Sequence, residues 1–327
     1  MGKILIVDAI DESGIKYLKK NGLEIIIASD TSINTLIKEV SNVDGIIVRG
    51  TKISKEIIEK ANKLKVIGDH GSGFDNIDVK FATKRGILVI NIPSTPTQSV
   101  AEHAIGLMLA LAKNIPLADR ELREGKAKYK YDYMGTELYK KKLGIIGLGR
   151  IGLTVAKMCK ACFDMEVIGY DINMNNERKK KIEEMEINLA EDKKILLRES
   201  DFISLHVPFT KETKDFIGVE ELNIMKSTAY LVNTARGGVI NGQALIEALK
   251  AKKIAGAGLD VFVTEPPQPD NPLFKMKNTV VTPHIAVQTK EALIRMSTTI
   301  AIEVFKALNN KKPTYIVNPE VWKNRIN

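Results

Sequence analysis

The sequence predicts an α/β protein with two doubly wound domains, each built on a parallel sheet covered by helices on both faces. Short apolar runs alternate with amphipathic segments along the chain, and this alternation restarts after a glycine-rich turn at residues 143–152. Strands that alternate with helices indicate parallel sheets. A length of 327 residues also exceeds the usual size of one domain.

The first part of the chain predicts one such unit. Its strand candidates are ILIVD, EIIIA, DGIIV, LKVIG and ILVIN, and its helix candidates are DESGIKYLKK, SINTLIKEV and SKEIIEKANK. The Pro-, Ser- and Thr-rich stretch NIPSTPTQS then predicts a linker. The helix candidate SVAEHAIGLMLALAK follows, and its apolar run is too short for the roughly 20 residues of a membrane span, so we expect a buried helix.

The second unit begins with LGIIGLGRIG. Its further strand candidates are MEVIGYDI, DFISLHV, TAYLVNT, IAGAGLDV and NTVVTPHI, and helical segments such as GQALIEALKAKK separate most of them. A last helix is predicted at residues 288–309, followed by a short tail.

The net charge of +9 comes mostly from lysines that are interleaved with acids, as in KKKIEE. Nucleic-acid-binding proteins concentrate such charge on one face and carry a recognisable module, so we expect neither a nucleic-acid nor a membrane partner. The N-terminal MGKILIVDAI has no signal-peptide pattern, which predicts a cytoplasmic location. Cys159 and Cys162 form a CxxC pair in a helix; a zinc site needs four ligands, so we expect core residues and no metal.

Residues 126–142, KAKYKYDYMGTELYKKK, hold four of the eight tyrosines. Aromatic residues are enriched at protein interfaces, so this Tyr-rich segment predicts a homodimer contact. The alternative is a loop that folds back on its own domain.

The turn GLGRIG predicts a dinucleotide site. Gly147 permits a tight turn, Gly149 lets the backbone approach a pyrophosphate, and Gly152 permits close packing of helix on strand. Asp171 lies 19 residues beyond Gly152 at the end of the next strand, where a carboxylate binds ribose hydroxyls. An acid there repels a 2′-phosphate, so NAD is favoured over NADP, and we expect Arg178 at the surface.

The four histidines are not equally good candidates for an acid/base group. His284, in VVTPHI, follows a strand at the carboxyl edge of the sheet, where α/β enzymes bind ligands, and is the best candidate. His206 is expected to line the cofactor site or to pack, His103 to be structural, and His70 lies beside a glycine turn.

Two further residues suit the chemistry of an anionic substrate. Arg236, in NTARGGVI, follows a strand, and its guanidinium can bind a carboxylate through two hydrogen bonds. Glu265, in DVFVTEPP, could bond to His284, fix its tautomer and raise its pKa. Each of the three also has an ordinary structural explanation: a surface Arg, a loop Glu or a core His.

Seven motifs in order make the chain resemble the D-isomer-specific 2-hydroxyacid dehydrogenase family. They are HGSGFDNID, TPTQSVAEHAIGLMLALAK, LGIIGLGRIG, LHVPFTKETKDFI, NTARGGVINGQALIEAL, GLDVFVTEPP and TPHI. MGTELYKKKLGIIGLGRIG is most similar to the phosphoglycerate dehydrogenase branch. The resemblance implies a Rossmann NAD-binding domain (residues 99–287) inserted into a flavodoxin-like substrate domain (residues 1–98 and 288–327).

The resemblance also implies site roles. Arg236 would bind the substrate carboxylate, His284 would be the proton donor or acceptor, and Glu265 its partner. The glycine turn at Gly71–Gly73 and Arg49 would contact the substrate. The predicted substrate-binding residues are Arg49, Ser72, Gly73 and Arg236. The predicted cofactor-binding residues are Gly147, Gly149, Arg150, Ile151, Gly152, Asp171, His206, Val207, Pro208, Thr213, Thr234, Ala235, Asp260 (to the carboxamide), His284 and Ala286.

Three residues depart from the family pattern. Asp69 stands where the phosphoglycerate branch has an arginine, which argues against a phosphorylated substrate. Ala286 replaces a common glycine near the expected nicotinamide. Asn241 replaces a common aspartate, but asparagine caps a helix as well as aspartate does. The sequence also predicts no C-terminal regulatory domain.

We therefore predict an NAD-dependent D-2-hydroxyacid dehydrogenase that reduces a small, anionic 2-oxoacid such as glyoxylate or hydroxypyruvate. One alternative is a D-3-phosphoglycerate dehydrogenase of serine biosynthesis. An alternative of another class is an NADH-sensing interaction protein, because the family includes a transcriptional corepressor branch.

Overall fold

The computed structural model describes residues 2–326, and the chain divides into two compact units. Unit 1 comprises Met1–Pro96 and Gln288–Asn327, and unit 2 comprises Thr97–Val287. The first change of unit therefore falls two residues before the predicted one. The reason is that a helix begins at Thr97, within the stretch predicted as a linker.

Unit 1 is built on a five-stranded parallel sheet in the order β2-β1-β3-β4-β5, the flavodoxin-like order. Its strands are β1 (Lys3–Ile6), β2 (Glu24–Ile27), β3 (Gly45–Val48), β4 (Val66–Asp69) and β5 (Leu88–Ile90). Its helices are α1 (Glu12–Lys20), α2 (Ile33–Glu39), α3 (Lys55–Lys60) and α4 (Val79–Lys84), joined from the end of the chain by α12 (Lys290–Leu308) and α13 (Pro319–Ile326). The sequence predicted neither α4 nor α13.

The long helix α12 lies tightly against the unit 1 sheet. A Cβ atom on Gly68 of β4 would come within 2.7 Å of Val304 on this helix, so only glycine fits there. Every residue of β3 and β4 is buried, as expected for strands covered on both faces. The last helix predicted from the sequence thus closes the core of the unit formed by the first residues.

Unit 2 is built on a seven-stranded parallel sheet in the order β12-β11-β10-β9-β6-β7-β8. Its strands are β6 (Lys142–Ile146), β7 (Glu166–Tyr170), β8 (Asn188–Leu189), β9 (Phe202–Leu205), β10 (Tyr230–Asn233), β11 (Gly256–Leu259) and β12 (Thr279–Val281). Its helices are α5 (Thr97–Ala112), α6 (Ile115–Arg123), α7 (Arg150–Phe163), α8 (Asn176–Glu183), α9 (Lys193–Glu199), α10 (Val219–Ile224) and α11 (Gly242–Lys250). Counted from β6, this is the Rossmann order with one added edge strand, which confirms the predicted fold class.

The order of the strands locates the ligand edge of unit 2. Strands are added to one side of β6 up to β8 and then to its other side from β9 onward, so the strand order reverses between β6 and β9. Open α/β sheets bind ligands at the carboxyl ends of the strands at such a point. The glycine turn follows β6 directly. A ligand of unit 2 is therefore expected at this edge, beside the glycine turn.

Two smaller sequence predictions concern buried residues of unit 2. The apolar run of α5 is buried as predicted, with Ala104 and Met108 fully inside the core. Cys159 is buried, and burial raises the pKa of its thiol to about 12. The prediction for Cys162 was wrong, because it is exposed on the outer face of α7. Among residues 2–326, no helix is long and apolar enough to cross a membrane.

Candidate active site

The glycine turn after β6 has the geometry that its sequence predicts. Gly147 has φ +96°, and a Cβ atom there would lie 2.4 Å from the carbonyl oxygen of His206. A Cβ on Gly152 would lie 2.1 Å from the carbonyl oxygen of Gly147. Gly149 instead faces open space at the start of α7. The turn therefore brings a helix N-terminus close to the strand and leaves room beside it for a pyrophosphate.

Asp171 lies at the end of β7 and holds the glycine turn from the side. Its Oδ2 accepts the backbone N–H of Leu148 at 2.9 Å, and its Oδ1 accepts that of Asn173 at 2.8 Å. Arg178 also reaches this carboxylate, with Nη2 3.1 Å from Oδ2. We expected Arg178 at the surface; it is partly exposed, but its guanidinium lies against Asp171, the residue predicted to bind the ribose.

The loop after β9 contributes residues that are largely held by one another. His206 Nε2 lies 2.8 Å from Ser204 Oγ, and burial lowers the pKa of this histidine to about 3. Thr213 is buried, and its hydroxyl donates to the carbonyl oxygen of Pro208 at 2.6 Å. Thr213 therefore shapes the loop that carries Val207 and Pro208, and a direct cofactor contact for it stays a prediction.

The loop after β10 presents Arg236. Asn233 fixes this loop from below, because its amide donates to the carbonyl oxygen of Arg236 at 2.9 Å and accepts the N–H of Ala235 at 3.0 Å. Arg236 itself donates from Nη1 to the carbonyl oxygen of Ala235 at 2.8 Å. Thr234 carries a buried hydroxyl without a hydrogen-bond partner among the described residues. A buried orphan hydroxyl at the ligand edge fits a bound cofactor.

His284 and Glu265 form a close pair. Nδ1 of His284 lies 2.6 Å from Oε2 of Glu265, and Oε1 of Glu265 accepts the backbone N–H of Phe262 at 3.0 Å. Burial raises the pKa of the Glu265 carboxyl, but the hydrogen bonds from His284 and Phe262 and the charge of Arg236 hold this pKa below its usual value. The ionised carboxylate occupies Nδ1, so Nε2 is the ring nitrogen left to exchange a proton with a substrate.

Asp260 holds the turn that carries His284. It is fully buried, and its carbonyl oxygen accepts the N–H of His284 at 2.7 Å. Its carboxylate accepts the N–H groups of Ile285 at 2.8 Å and Ala286 at 2.9 Å, and the hydroxyl of Thr282 at 2.7 Å. Oδ2 accepts from Ala286 alone of these donors and keeps acceptor capacity for the predicted carboxamide contact.

In unit 1 the candidate residues also follow strand ends. Asp8 follows β1, and its carboxylate accepts the backbone N–H groups of Arg49, Gly50 and Thr51 at 2.7–3.2 Å together with the Thr51 hydroxyl at 2.6 Å. This nest of donors could hold an anionic ligand, but Asp8 fills it. The pKa of Asp8 is lowered by these bonds in spite of burial, which alone would raise it.

Arg49 follows β3 and is surrounded by polar groups of its own unit. Both of its Nη atoms reach the amide oxygen of Gln288, at 2.6 and 3.2 Å, when that amide is oriented to satisfy both groups. Burial lowers the pKa of Arg49, whereas the carboxylates of Asp8 and Asp69 raise it. Asp69 is itself buried at the end of β4, and Ser72 is exposed in the glycine turn that follows.

The structure adds residues that the sequence did not single out: Asp8, Ser99, Thr282 and Asn233. The side chains of Asp8, Ser99 and Asn233 bond to loop backbone, and that of Thr282 bonds to the carboxylate of Asp260; no motif spacing marks such roles. Among residues 2–326 there is no group of three or more His, Cys, Asp or Glu able to hold a metal ion. The predicted residues of unit 2 nevertheless all follow the carboxyl ends of its strands, on the loops there or, for Arg150, Ile151 and Gly152, in the first turn of α7.

Comparison with known proteins identifies the family. Residues 105–286 match the model of the D-isomer specific 2-hydroxyacid dehydrogenase NAD-binding domain. The chain is 48% identical over 303 residues to a D-3-phosphoglycerate dehydrogenase of Archaeoglobus fulgidus, covering 92% of this chain and 56% of that protein. It is 40% identical over 330 residues to a glyoxylate reductase of Korarchaeum cryptofilum, covering 99% and 98%.

A solved structure gives the same answer at the level of the fold. The NADPH-dependent glyoxylate/hydroxypyruvate reductase of Sinorhizobium meliloti, in complex with citrate, superposes with a TM-score of 0.86 at 26% identity, covering 98% of this chain and 99% of that one. The chain thus spans little more than half of the phosphoglycerate dehydrogenase and nearly all of the two reductases. With its two parallel-sheet units and its NAD-binding domain at residues 105–286, the chain belongs to the D-isomer specific 2-hydroxyacid dehydrogenase family.

Proposed function

We propose that this protein is an NAD-dependent D-2-hydroxyacid dehydrogenase that reduces a small, unphosphorylated 2-oxoacid of the glyoxylate or hydroxypyruvate kind. The observation that carries the proposal is the 2.6 Å contact between His284 and Glu265 on the ligand edge of unit 2. A histidine whose second ring nitrogen is fixed by a carboxylate can give and take a proton at the first.

The residues of unit 2 divide the chemistry among them. NAD, when bound, supplies or accepts the hydride. Arg236 binds the substrate carboxylate through two hydrogen bonds and polarises the adjacent carbonyl. His284 donates a proton from Nε2 to the oxygen on C2 during reduction, and in neutral form accepts it during oxidation.

The cofactor assignment is supported by the glycine turn and by the family. Gly147 and Gly152 let the start of α7 approach the end of the strand. The buried hydroxyl of Thr234 has no hydrogen-bond partner among the described residues. The carboxylate of Asp171 favours NAD over NADP, as the sequence predicted, although Arg178 offsets part of its charge. Arg49, Ser72 and Gly73 stay predictions as substrate contacts.

Phosphoglycerate dehydrogenase is the second candidate function. It is favoured by the 48% identity to the enzyme of Archaeoglobus fulgidus, which exceeds the 40% identity to the glyoxylate reductase. Against it stands Asp69, a buried carboxylate beside Arg49 where a phosphate would need positive charge.

The test is loss of NADH absorbance with glyoxylate, hydroxypyruvate, pyruvate and phosphohydroxypyruvate, each repeated with NADPH. We expect turnover with an unphosphorylated oxoacid and NADH. His284→Gln should lower kcat by roughly 100-fold or more, because general acid–base help is lost. Circular dichroism and thermal unfolding serve as the control for folding, because His284 is itself a predicted cofactor contact.

Other outcomes of these assays would support a different function or mechanism. A strong preference for phosphohydroxypyruvate would establish the second candidate. NADH binding without turnover on any oxoacid, together with a saturable protein partner, would favour the NADH-sensing alternative. His284→Gln with full turnover would remove His284 from the mechanism.

We further propose a homodimer through the Tyr-rich segment. Tyr129, Tyr131 and Met134 are 66%, 62% and 75% exposed, a large apolar surface for three neighbouring side chains. Tyr133, in contrast, folds back and donates to Glu121 at 2.9 Å, which fixes the segment against its own unit. Both explanations of the segment thus hold for different tyrosines. A cytoplasmic location stays a prediction.

The double variant Tyr131→Ser, Met134→Ser should raise the dimer dissociation constant by roughly 100-fold, since aromatic and Met anchors dominate interfaces. Light scattering across a dilution series measures this. Val219→Ser removes an equally exposed apolar side chain on α10 and should leave the dimer intact. An unchanged dimer in the double variant would place the interface elsewhere.

A further inference from the structure

His103 lies in the middle of α5 and was expected to be only structural. Its Nε2 instead lies 3.0 Å from the hydroxyl oxygen of Thr282 and 3.4 Å from Oδ1 of Asp260. Both of these residues belong to the network that holds the turn carrying His284. His103 thus reaches this network from a different element of unit 2.

The ionisation of Asp260 determines which groups donate in the bonds among Asp260, Thr282 and His103. The Asp260 carboxylate is ionised: burial raises its pKa, but hydrogen bonds from His103, Thr282 and the turn backbone bring the pKa below its usual value. An ionised carboxylate only accepts, so Thr282 gives its single hydroxyl proton to Asp260 at 2.7 Å. The Thr282 oxygen can then only accept from His103, and Nε2 of His103 must carry a hydrogen.

The helix α5 holds the turn at a second point. Ser99 donates its hydroxyl to the carbonyl oxygen of Ala286 at 2.6 Å. Ser99 and His103 are four residues apart, so they lie on the same face of the helix. Two neighbouring side chains of one rigid helix therefore bond to the two sides of the His284 turn.

This turn needs such support, because His284 has φ +54°, a left-handed conformation that favours glycine. Asp260 fixes residues 284–286 through its carbonyl and carboxylate, and the orientation of that carboxylate depends on the donors around it. His103 and Thr282 supply the donors that come from outside residues 284–286.

We propose that His103 is a positioning residue of the reaction: its Nε2–H bonds to Thr282 and Asp260 hold the turn that aims His284. The inference rests on the proposed function, in which His284 carries the proton. It predicts that the donor hydrogen of His103 matters, whereas a purely structural role would require only a side chain that fills the space.

The experiment compares two substitutions at one position. His103→Leu removes the donor, and His103→Gln keeps an N–H donor at a similar reach. We expect kcat to fall about 10-fold in the Leu variant, the effect of one lost hydrogen bond to a charged network, with KM for the oxoacid and Kd for NADH within about 2-fold. The Gln variant should recover most of kcat. Glu102→Gln, exposed on the same helix, is the matched control.

A second pair of variants keeps the test decisive if His103→Leu folds poorly. Thr282→Val removes the hydroxyl that relays the bond and keeps the side-chain shape. It should lower kcat to a similar extent, and Thr282→Ser, which keeps the hydroxyl, should retain most of kcat. A Leu variant with full kcat, a Gln variant as slow as Leu, or a Thr282→Ser variant as slow as Thr282→Val would overturn the proposal.

NMR of the apoprotein separates this inference from the proposed function. The four histidines give few enough ring signals to assign by substitution. The His284 signal should move in His103→Leu and stay near its parent position in His103→Gln. That result without oxoacid turnover in the parent would contradict the proposed function alone. Turnover in the parent with an unmoved His284 signal in His103→Leu would contradict the positioning role alone.

Discussion

The two units place charged residues at the same edge of similar parallel sheets but treat them differently. In unit 2, His284 and Glu265 pair with 46% and 35% of their side chains exposed. In unit 1, His70 and Asp69 are buried, and Asp8 is bonded to four donors of a neighbouring loop. The sheet edge alone therefore does not make a reactive site.

The difference lies in what each group can still do. His284 keeps Nε2 for a substrate, because Glu265 satisfies only Nδ1. In unit 1, Asp8 fills the nest of N–H groups that could have held an anion, and Gln288 accepts from both Nη atoms of Arg49. Under the proposed function, unit 2 would carry the chemistry, and the charges of unit 1 would bias which substrates are accepted.

Removing one arginine from each unit tests this difference between the units most directly. Arg236→Gln should lower kcat/KM by roughly 1000-fold, since truncating a charge that pairs with a desolvated carboxylate costs several kcal/mol. Arg49→Gln should cost only about 10-fold, because two carboxylates already offset its charge. Steady-state kinetics with the best oxoacid measure both.

Circular dichroism and thermal unfolding control for misfolding, and Arg85→Gln, a surface variant of unit 1, is the matched control. Equal losses in the two variants, or a larger loss at Arg49, would mean that unit 1 supplies the main anchor for the carboxylate.

The sequence predicted the fold well, because strands, helices and turns are marked by patterns of neighbouring residues. Alternating apolar runs and a glycine turn identify strands, helices and the point where the second sheet begins. The sequence did not predict α4, α6 or α13, which are six, nine and eight residues long. α4 and α6 show no apolar run, and α13 lies in a tail without motifs, where Asn318 bonds to the backbone beside β5.

The site was predicted less completely, because its contacts join distant positions. Residue types marked His284, Arg236 and Glu265 as candidates and allowed a bond between Glu265 and His284. No local pattern brings these two residues together across 19 positions, and the family resemblance was needed to expect it. No local pattern connects His103 to Asp260, 157 residues further along the chain. Nor could spacing reveal that Arg178 turns back onto Asp171. Such contacts arise from packing of whole elements.

The next largest effect concerns stability against pH. Burial, with the nearby charge of Arg49, lowers the pKa of His70 from 6.5 to about 4 in the folded protein. Between pH 6.5 and about 4, His70 is therefore protonated in the unfolded chain but neutral in the folded one, so the free energy of unfolding falls as the pH drops. The contribution is fully present above pH 6.5, and roughly 3 kcal/mol of it is lost by pH 4.

Urea unfolding at pH 7 and at pH 4.5, followed by probes in unit 1, measures this loss. His70→Gln can replace the bond to Ser297 and does not titrate, so the difference in stability between the two pH values should shrink by about 2 kcal/mol or more relative to the parent. Lys290→Gln, exposed at the start of α12, is the control. An undiminished pH dependence in His70→Gln would show that His70 does not carry it.

The smallest effect tests whether unit 1 selects the substrate. Asp69→Asn keeps the shape of the side chain and removes one buried negative charge close to Arg49. A phosphorylated oxoacid brings extra negative charge, so the variant should raise kcat/KM for phosphohydroxypyruvate relative to hydroxypyruvate by about 10-fold, the effect of one like charge at a distance of several ångströms in a partly screened site. The ratio is measured with both substrates on one enzyme preparation, which cancels errors in active fraction.

Glu59→Gln removes an exposed carboxylate from the same unit, and it should leave the ratio unchanged because solvent and salt screen that charge. A rise in the ratio at Asp69 alone would assign the selection against phosphate to a single buried carboxylate of unit 1. An unchanged ratio in both variants would mean that the substrate's second charge is read by other residues. Unit 1 would then act mainly as a scaffold, and the contrast between the two sheet edges would extend to specificity as well as to catalysis.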